Sequence, residues 1–186
     1  MKRISYVLIL FVLLSSCGRG FVANSDFDRS VNLRNYQTFK ISEEYPNRPD
    51  IDPILNNEFN RKRIANAITA QLKGRNYVES NQNPDLLVKF YVRVKDKQQT
   101  QYNNNWGFYY PRTNSYTKSY EESTLIVELV DAAENKLVWQ GWAIGEKEYN
   151  SKNIEQKTWN KVSYIFRTFP VKPKEPISND PISYNK

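Results

Sequence analysis

The sequence predicts an α+β domain in which a mostly antiparallel sheet of about four to five strands packs on two helices. The first observation is the alternation of apolar and polar residues in several short segments, which is typical of strands with one buried face. The second is the helical spacing of apolar residues over 54–75 and 153–168. A length of 186 residues suits a single domain with one core.

The N-terminus has the pattern of a secretory signal. A basic pair precedes an apolar run that ends at Leu14, and Cys17 follows two serines. This run is shorter than the roughly 20 residues that cross a membrane. It resembles the lipobox of bacterial lipoproteins, in which the cysteine sulfur receives a diacylglycerol group and the new amino group receives a fatty acid such as palmitate. We therefore expect a signal peptide at 1–16, a lipidated Cys17 and a tether over 17–25.

The residue after the cysteine bears on location. Gly18 stands where an aspartate would act as a retention cue for the inner membrane. We therefore expect attachment through Cys17 to the outer membrane with the domain facing the periplasm, and exposure on the cell surface is the alternative.

Composition excludes several chemistries. The chain has no histidine and one cysteine, Cys17, so we expect no zinc or copper site, no disulfide and no Ser-His-Asp triad. General acid–base work would fall to Asp, Glu, Lys or Tyr. The net charge is +7, but the basic residues are not clustered, so we expect no nucleic-acid partner. No cofactor motif is present in the sequence.

The folded domain is predicted to span 26–170. An extended segment begins at Asp26, and a half-buried strand is predicted over 36–41. The proline-rich segment 42–53 is a loop. Asp52 before a proline suggests where the first helix starts, and Gly74 suggests where it ends. Its apolar face is predicted to contain Phe59, Ile64, Ala67, Ile68 and Leu72.

The second half of the domain is predicted to be mainly strands. Residues 86–95 alternate most regularly, and 124–131 with 136–144 form a hairpin in which Asn135 can take a positive φ. The stretch 96–120 is predicted to be a long aromatic and polar loop because it has almost no aliphatic residues. The proline-rich end, 171–186, is predicted to be a disordered tail, with an arm packed on the domain as the alternative.

Several phrases carry a family resemblance. They are Asp-Phe-Asp at 26–28, Pro-Asp-Leu-Leu-Val at 84–88 and Leu-Val-Trp-Gln-Gly-Trp-Ala at 137–143. Together they resemble the domain of unknown function family 4136, a family of bacterial lipoproteins, over roughly residues 22–170. The resemblance implies an α+β fold and placement in the cell envelope. It implies no activity and no catalytic residues.

Two pairs of side chains have alternative interpretations. Asp85 and Asp131 could form the carboxylate pair of a glycan hydrolase, which needs two such groups about 5–10 Å apart. The favoured interpretation is structural, with Asp85 capping a turn after Pro84 and Asp131 opening the hairpin turn. Trp139 and Trp142 are predicted to face opposite sides of the sheet because they are three residues apart on a strand. The glycine between them suggests a bulge or a close approach.

The aromatic residues of the predicted loop are the candidate binding residues. Tyr and Trp among Asn and Ser are typical of adaptable recognition surfaces, and they can also stack on sugars or lie at the lipid headgroups. The residues concerned are Trp106, Phe108, Tyr109 and Tyr110.

The sequence leaves three hypotheses for function. The first is a non-enzymatic, lipid-anchored module that binds an envelope protein or glycan. The second is a carboxylate-dependent hydrolase acting on cell-wall or polysaccharide glycans. The third is a lipoprotein with a purely structural role. The oligomeric state is open, since a sheet of this size leaves a free edge.

Overall fold

A computed structural model describes residues 22–44, 46, 48–105, 112–147, 152–174 and 177. Within these residues, a single sheet of six strands carries two helices on one face. The elements in chain order are β1 (Val22–Phe27), a 3-10 turn (Leu33–Asn35), β2 (Thr38–Ile41), α1 (Glu58–Lys73), β3 (Val78–Glu79), β4 (Leu86–Asn105), β5 (Arg112–Asp131), β6 (Lys136–Glu146) and α2 (Ile154–Arg167). The strands lie side by side in the order β1-β6-β5-β4-β2-β3.

The predicted α+β class with two helices is confirmed, but the sheet has more strands than predicted and is mixed. β1, β6, β5 and β4 are antiparallel neighbours, whereas β2 runs parallel to both β3 and β4. β3 has only 2 residues, too few to show an alternating pattern. β1 begins at Val22, so the last residues of the predicted tether belong to the sheet. None of the helices in the described part of the chain is long and apolar enough to cross a membrane.

The start predicted for α1 was wrong, and the predicted end is confirmed. The side chain of Asn57 caps the helix by accepting a hydrogen bond from the backbone N–H of Asn60 at 3.0 Å. Asp52 instead holds a separate turn, in which its Oδ1 accepts from the N–H groups of Ile54 and Leu55 at 2.8 and 2.9 Å. Gly74 ends the helix, and its N–H donates to the carbonyl of Ala70 at 3.0 Å.

The predicted apolar face of α1 is correct except at Phe59. Ile64, Ala67, Ile68 and Leu72 are buried, whereas Phe59 is 73% exposed. The turn before Ile64 places residues 60 and 61 on the buried face, because helical neighbours are three or four residues apart. Phe59 is therefore rotated out of the contact between α1 and the sheet.

The core lies between the helices and one face of the sheet. On β4 the predicted alternation is confirmed, since every second residue from Leu86 to Val92 points to the helices. β5 and β6 contribute in the same way, and the buried face of α2 adds two aromatic and two aliphatic side chains, Trp159, Val162, Ile165 and Phe166. The fully buried large side chains include Trp139, Phe39, Phe90, Phe166, Phe169, Ile68, Leu72, Leu86, Leu129 and Ile165.

The close backbone approach predicted near the tryptophans is confirmed at Gly141. A Cβ there would lie 2.4 Å from Cη2 of Trp139 and 2.5 Å from Cγ2 of Ile165, so only glycine lets the indole lie along the strand. Trp139 is fully buried and meets Phe169 edge to face, with ring centroids 5.0 Å apart. The bulge lies elsewhere, at the register shift between Leu129 and Val130.

Beyond the end of β2, residues 50–56 cover the edge of β4 that has no neighbouring strand. The buried side chain of Asn56 replaces a neighbouring strand: its Nδ2 donates to the carbonyl of Val92 at 2.8 Å, and its Oδ1 accepts from the N–H of Val92 at 2.9 Å. The N–H of Val94 donates to the carbonyl of Asp50 at 2.9 Å, and Ile51 forms a bridge with Arg93. Edge pairing on this side of β4 is thus continued as far as Val94.

The prediction of a loop over 96–120 was wrong for most of that stretch. β4 continues to Asn105, and β5 already begins at Arg112. The two strands pair with each other from Asp96 opposite Glu121 to Asn105 opposite Arg112. We call this two-stranded extension, 96–105 with 112–121, the ribbon.

The predicted disordered tail was wrong for its first residues. The N–H of Lys174 donates to the carbonyl of Gly74 at 3.2 Å, and the carbonyl of Val171 accepts from Nε of Arg75 at 2.9 Å. Ile177 packs against the core cluster. Residues 171–174, which we call the C-terminal arm, therefore lie on the domain, in agreement with the alternative. The remaining tail residues except Ile177 lie outside the described residues.

Candidate functional site

The site residues predicted from the sequence lie outside the described residues. This applies to Cys17 with its signal peptide, and to the aromatic residues Trp106, Phe108, Tyr109 and Tyr110. The structure does describe the two strands that flank the aromatic residues. It also describes β1, which follows the lipobox in the chain.

The ribbon extends well beyond the rest of the sheet. β6 pairs with β5 as far as Glu122 opposite Glu146, and the N–H of Lys147 donates to the carbonyl of Glu121 at 3.0 Å. Beyond Glu121, β4 and β5 pair only with each other within the described residues. Ten residues per strand correspond to roughly 34 Å. The segment that contains the candidate aromatic residues joins the two strands where the pairing ends, at Asn105 and Arg112.

The ribbon does not have a buried apolar face of its own near its base. Asp96, Lys97, Gln98 and Thr100 are all exposed, as are Thr117 and Ser119 on the opposite strand. The contacts between the strands are polar, such as the Lys97–Glu122 ion pair at 3.7 Å. An isolated two-stranded ribbon is only marginally stable in water.

The start of β1 lies at the same end of the sheet as the base of the ribbon. Val22 pairs with Ile144, and Ile144 pairs with Thr124 on β5, close to where the ribbon begins. Cys17 is separated from Val22 by only four residues, 18–21. The link from Cys17 to β1 therefore spans at most roughly 18 Å.

The sheet face opposite the helices forms an open groove next to the base of the ribbon. Trp142 lies there, half-buried, on the side opposite Trp139 as predicted. Tyr91 is buried beside it, and both its hydroxyl and Nε2 of Gln140 donate to Oε1 of Glu128, at 3.0 and 2.8 Å. Burial and the Glu128 carboxylate raise the pKa of Tyr91 to about 12, so the phenol remains protonated.

Basic side chains border this groove. Arg93, Lys95 and Lys97 follow one another along β4, and Arg93 is ion-paired with Asp50. This groove was not predicted from the sequence. The signal was available in the alternation of residues 86–95, which places Tyr91 on the same face as Arg93 and Lys95.

Asp85 is held by long-range hydrogen bonds and not by the predicted turn after Pro84. Its Oδ2 accepts from the N–H groups of Gln37 and Thr38 at 2.8 and 2.9 Å, and its own N–H donates to Oγ1 of Thr38 at 2.9 Å. These bonds keep the pKa of the Asp85 carboxyl below its usual value. Asp85 thus fixes the start of β2 beside the start of β4.

Asp131 opens the hairpin turn as predicted. Its Oδ1 accepts from the N–H groups of Ala133 and Glu134 at 2.9 and 2.8 Å, and its Oδ2 accepts from the hydroxyl of Tyr36 at 2.8 Å. Asn135 in the same turn takes the predicted positive φ, 50°. The backbone N–H of Glu134 and the Tyr36 hydroxyl lower the pKa of the Asp131 carboxyl, although the charge of Asp85 acts in the opposite direction.

The hydrogen bonds of these two carboxylates assign them to structure. Both carboxyls favour the ionised form, whereas the acid of a glycosidase must hold a proton at neutral pH. Within the described ranges, no three or more His, Cys, Asp or Glu side chains are grouped so that they could hold a metal ion.

Solved structures with a related fold have low sequence identity to this chain. A PDZ domain protein from Parabacteroides distasonis has a TM-score of 0.53 and 15% identity, and the match covers 81% of this chain and 35% of that chain. A PelC dodecamer from Paraburkholderia phytofirmans has a TM-score of 0.46 and 10% identity, and the match covers 82% of this chain and 100% of that chain. No curated protein is significantly similar to this chain. At such identities the first structure shows the fold alone.

A family comparison covers the whole domain. The sequence profile described as "Domain of unknown function (DUF4136)" matches residues 23–171. This range contains both helices and all of the sheet except the first residue of β1. The phrases at 84–88 and 137–143, on which the resemblance was based, lie within it. The chain therefore belongs to the DUF4136 family.

Proposed function

We propose that this protein is a lipid-anchored lipoprotein of the bacterial cell envelope that acts as a non-enzymatic binding module. In this proposal, lipid on Cys17 holds the domain at a membrane, and the aromatic residues at the end of the ribbon bind an envelope protein or glycan. Confinement to a membrane surface raises the effective concentration of the module near its partner.

The observation that carries the proposal is the ribbon and its position relative to β1. The ribbon is about 34 Å long, whereas the link between Cys17 and Val22 spans at most about 18 Å. Both start from the same end of the sheet. A ribbon longer than the link brings its end to the level of the anchoring membrane, so we expect the partner to lie at that surface.

The state of the carboxylates supports a non-enzymatic role. Asp85 and Asp131 accept hydrogen bonds from backbone N–H groups and from Tyr36, and the pKa of each carboxyl is lowered. A hydrolase would need one of the pair to be a proton donor. The alternative of a glycan hydrolase using this pair is therefore disfavoured.

The test is to recover the partner from intact cells after cross-linking, with the four aromatic residues replaced together: Trp106→Ser, Phe108→Ser, Tyr109→Ser and Tyr110→Ser. We expect at least tenfold less partner with this variant, because ring stacking and apolar contact are lost. The matched control is Phe59→Ser on α1, which removes an aromatic that is 73% exposed and lies outside the ribbon. Undiminished recovery by the fourfold variant would contradict the proposal.

The anchor is tested in the same cells. With Cys17→Ala, we expect the protein to move from the membrane fraction to the soluble fraction and to recover less partner. A Ser16→Ala variant keeps the cysteine and serves as the control. Membrane attachment that survives Cys17→Ala would exclude the proposed lipid anchor.

A further inference from the structure

The end of the domain opposite the ribbon contains a basic groove. It lies between the 3-10 turn, the end of α1 and the C-terminal arm, and it has a volume of about 490 Å³. Its charged and aromatic lining residues are Arg34, Arg75, Lys172, Lys174, Tyr36 and Tyr77. Four of these side chains are cationic, and no carboxylate is among the described residues that line the groove.

The cations of this groove differ from several others in the domain. Arg63, Arg93, Lys136 and Lys147, for example, each have a carboxylate within ion-pair distance. In the part of the chain that the structure describes, the exposed side chains of Arg34, Lys172 and Lys174 have no such partner. Lys172 donates only to a neutral acceptor, the carbonyl of Arg167, at 3.2 Å. The positive charge of the groove is therefore not neutralised from within the described domain.

Arg75 adds a buried cation behind these exposed ones. It is 7% exposed, and its guanidinium donates to the carbonyls of Gln71, Phe166 and Val171 at 2.7, 2.9 and 2.9 Å and to the side-chain oxygen of Gln71 at 3.0 Å. All of these acceptors are neutral. Burial lowers the pKa of Arg75 to about 10, so it stays charged at neutral pH. A buried cation is usually paired with an anion, and here none is present among the described residues.

The two carboxylates on the other side of Tyr36 are already engaged in hydrogen bonds. Tyr36 separates the groove from Asp131 and Asp85, and its hydroxyl donates to Asp131 at 2.8 Å. Asp85 accepts from the N–H groups of Gln37 and Thr38, and Asp131 accepts from those of Ala133 and Glu134. Asp85 and Asp131 thus mark where the basic surface ends, and neither forms an ion pair with the cations of the groove.

We propose that this groove binds oxyanions, carboxylate or phosphate groups, carried by an anionic polymer of the cell envelope. The inference rests on the proposed function, since it supplies the module with a ligand at the end remote from its anchor. The groove lies near the start of β4, and Val22 lies at the opposite end of the sheet. That distance favours a polymer outside the lipid headgroups over the headgroups themselves. Guanidinium and ammonium groups are the usual ligands for such anions.

The test measures binding by the full chain in detergent micelles to polygalacturonate and to polyphosphate, with neutral dextran as the blank. The groove variant combines Arg34→Ala, Lys172→Ala and Lys174→Ala and leaves Arg75 in place, so that the fold is retained. The matched variant combines Lys40→Ala, Lys62→Ala and Lys152→Ala, which removes the same charge from exposed positions elsewhere. Thermal unfolding of all three proteins verifies that each is folded.

We expect the groove variant to bind both polymers at least tenfold more weakly at about 0.1 M salt, and the matched variant to stay within about threefold of the wild type. Equal losses in the two variants would overturn the proposal, because binding would then reflect net charge alone. Inorganic phosphate bound as tightly as polyphosphate would overturn the polymeric source. Tighter binding to vesicles of phosphatidylglycerol than to either polymer would also overturn it, by assigning the groove to a membrane.

These outcomes are independent of the test of the proposed function. Polymer binding is measured with purified protein and needs neither the partner nor the ribbon. The fourfold Ser variant of the ribbon aromatics should bind the polymers like the wild type. If the groove variant loses polymer binding but recovers the partner normally, the groove proposal is supported. If the groove variant keeps polymer binding while the fourfold Ser variant loses the partner, only the proposed role of the ribbon is supported.

Discussion

At the scale of single residues, Asp85 shows how a side chain that looks catalytic serves the fold. Parallel strands β2 and β4 start side by side without a short connection between them, so their register needs a specific contact. Asp85 provides it through three hydrogen bonds, two with Thr38 and one from the N–H of Gln37. Two of these bonds end on a charged carboxylate, and such bonds are stronger than neutral ones.

Asp85→Asn should lower stability in a pH-dependent way. The asparagine oxygen can accept the same bonds but without charge, so we expect a loss of about 1 kcal/mol in the free energy of unfolding near neutral pH. The pKa of Asp85 is lowered in the folded state, so its contribution is fully present above the unfolded pKa of about 4 and is lost as the pH falls through the folded pKa. Urea unfolding at several pH values should show the difference between wild type and variant shrinking below about pH 4.

The control for this prediction is Asp26→Asn on β1. Asp26 is exposed and accepts only a local bond from the N–H of Phe27. We expect its replacement to change the free energy of unfolding by less than about 0.5 kcal/mol at every pH. A difference for Asp85→Asn that persists unchanged into acid would mean that the charge of Asp85 is not responsible.

At the scale of elements, the sequence predicts best where one face of an element packs on the core. α2, the alternation along β4 before residue 96, and the β5–β6 hairpin all agree with the prediction. In each case burial of one face imposes a period on the chain. The start of α1 was misplaced because Asp52 and Asn57 are both suitable caps, and only the tertiary bonds of Asn56 to β4 decide between them.

The ribbon could not be predicted from such a pattern. Both of its faces are polar where its side chains are described, so no aliphatic alternation marks it as two strands. Its Tyr and Thr residues favour strands, but that preference depends on context. The basic groove was missed for a related reason: Arg34, Arg75 and Lys172 are far apart in sequence and meet only through the packing of the arm.

Excision of the ribbon should leave the domain folded. Asp96 and Glu121 are directly opposite each other, so residues 97–120 can be replaced by an Asn-Gly turn, which keeps the ion pair between Glu121 and Lys147. We expect the free energy of unfolding to change by less than about 1 kcal/mol, because an isolated ribbon contributes little stability in water. Chemical denaturation measures this directly, and the shortened protein should recover no partner from cells.

A deeper excision provides the comparison for the ribbon. Joining Val92 to Leu125 through the same turn also removes Arg93, which pairs with Asp50, and the buried Ser123. We expect this protein to be clearly less stable, since it loses contacts of the domain itself. If instead the shorter excision unfolded the protein, the ribbon would be part of the cooperative fold and could not be a separate binding arm.

At the scale of the whole molecule, the two ends of the domain differ in structure and share one core. The ribbon and the start of β1 lie at one end, and the groove lies at the other, where both helices finish. Arg75 holds this second end together by bonding the last turns of α1 and α2 and the C-terminal arm. Its guanidinium also lies 5.3 Å from the ring centroid of Phe166.

Arg75→Met should therefore destabilise the whole domain. Methionine can fill the space, but the carbonyls of Gln71 and Val171 lose the guanidinium as donor, and the carbonyl of Phe166 keeps only its bond from a backbone N–H. We therefore expect a loss of about 3 kcal/mol in the free energy of unfolding. Arg75→Lys keeps the charge and should recover only part of the loss, since an ammonium cannot reach all three acceptors at once. Arg34→Met, at an exposed position of the same groove, should cost less than about 0.5 kcal/mol. If Arg75→Lys had the same free energy of unfolding as the wild type, the charge at this position would matter and the three directed hydrogen bonds would not.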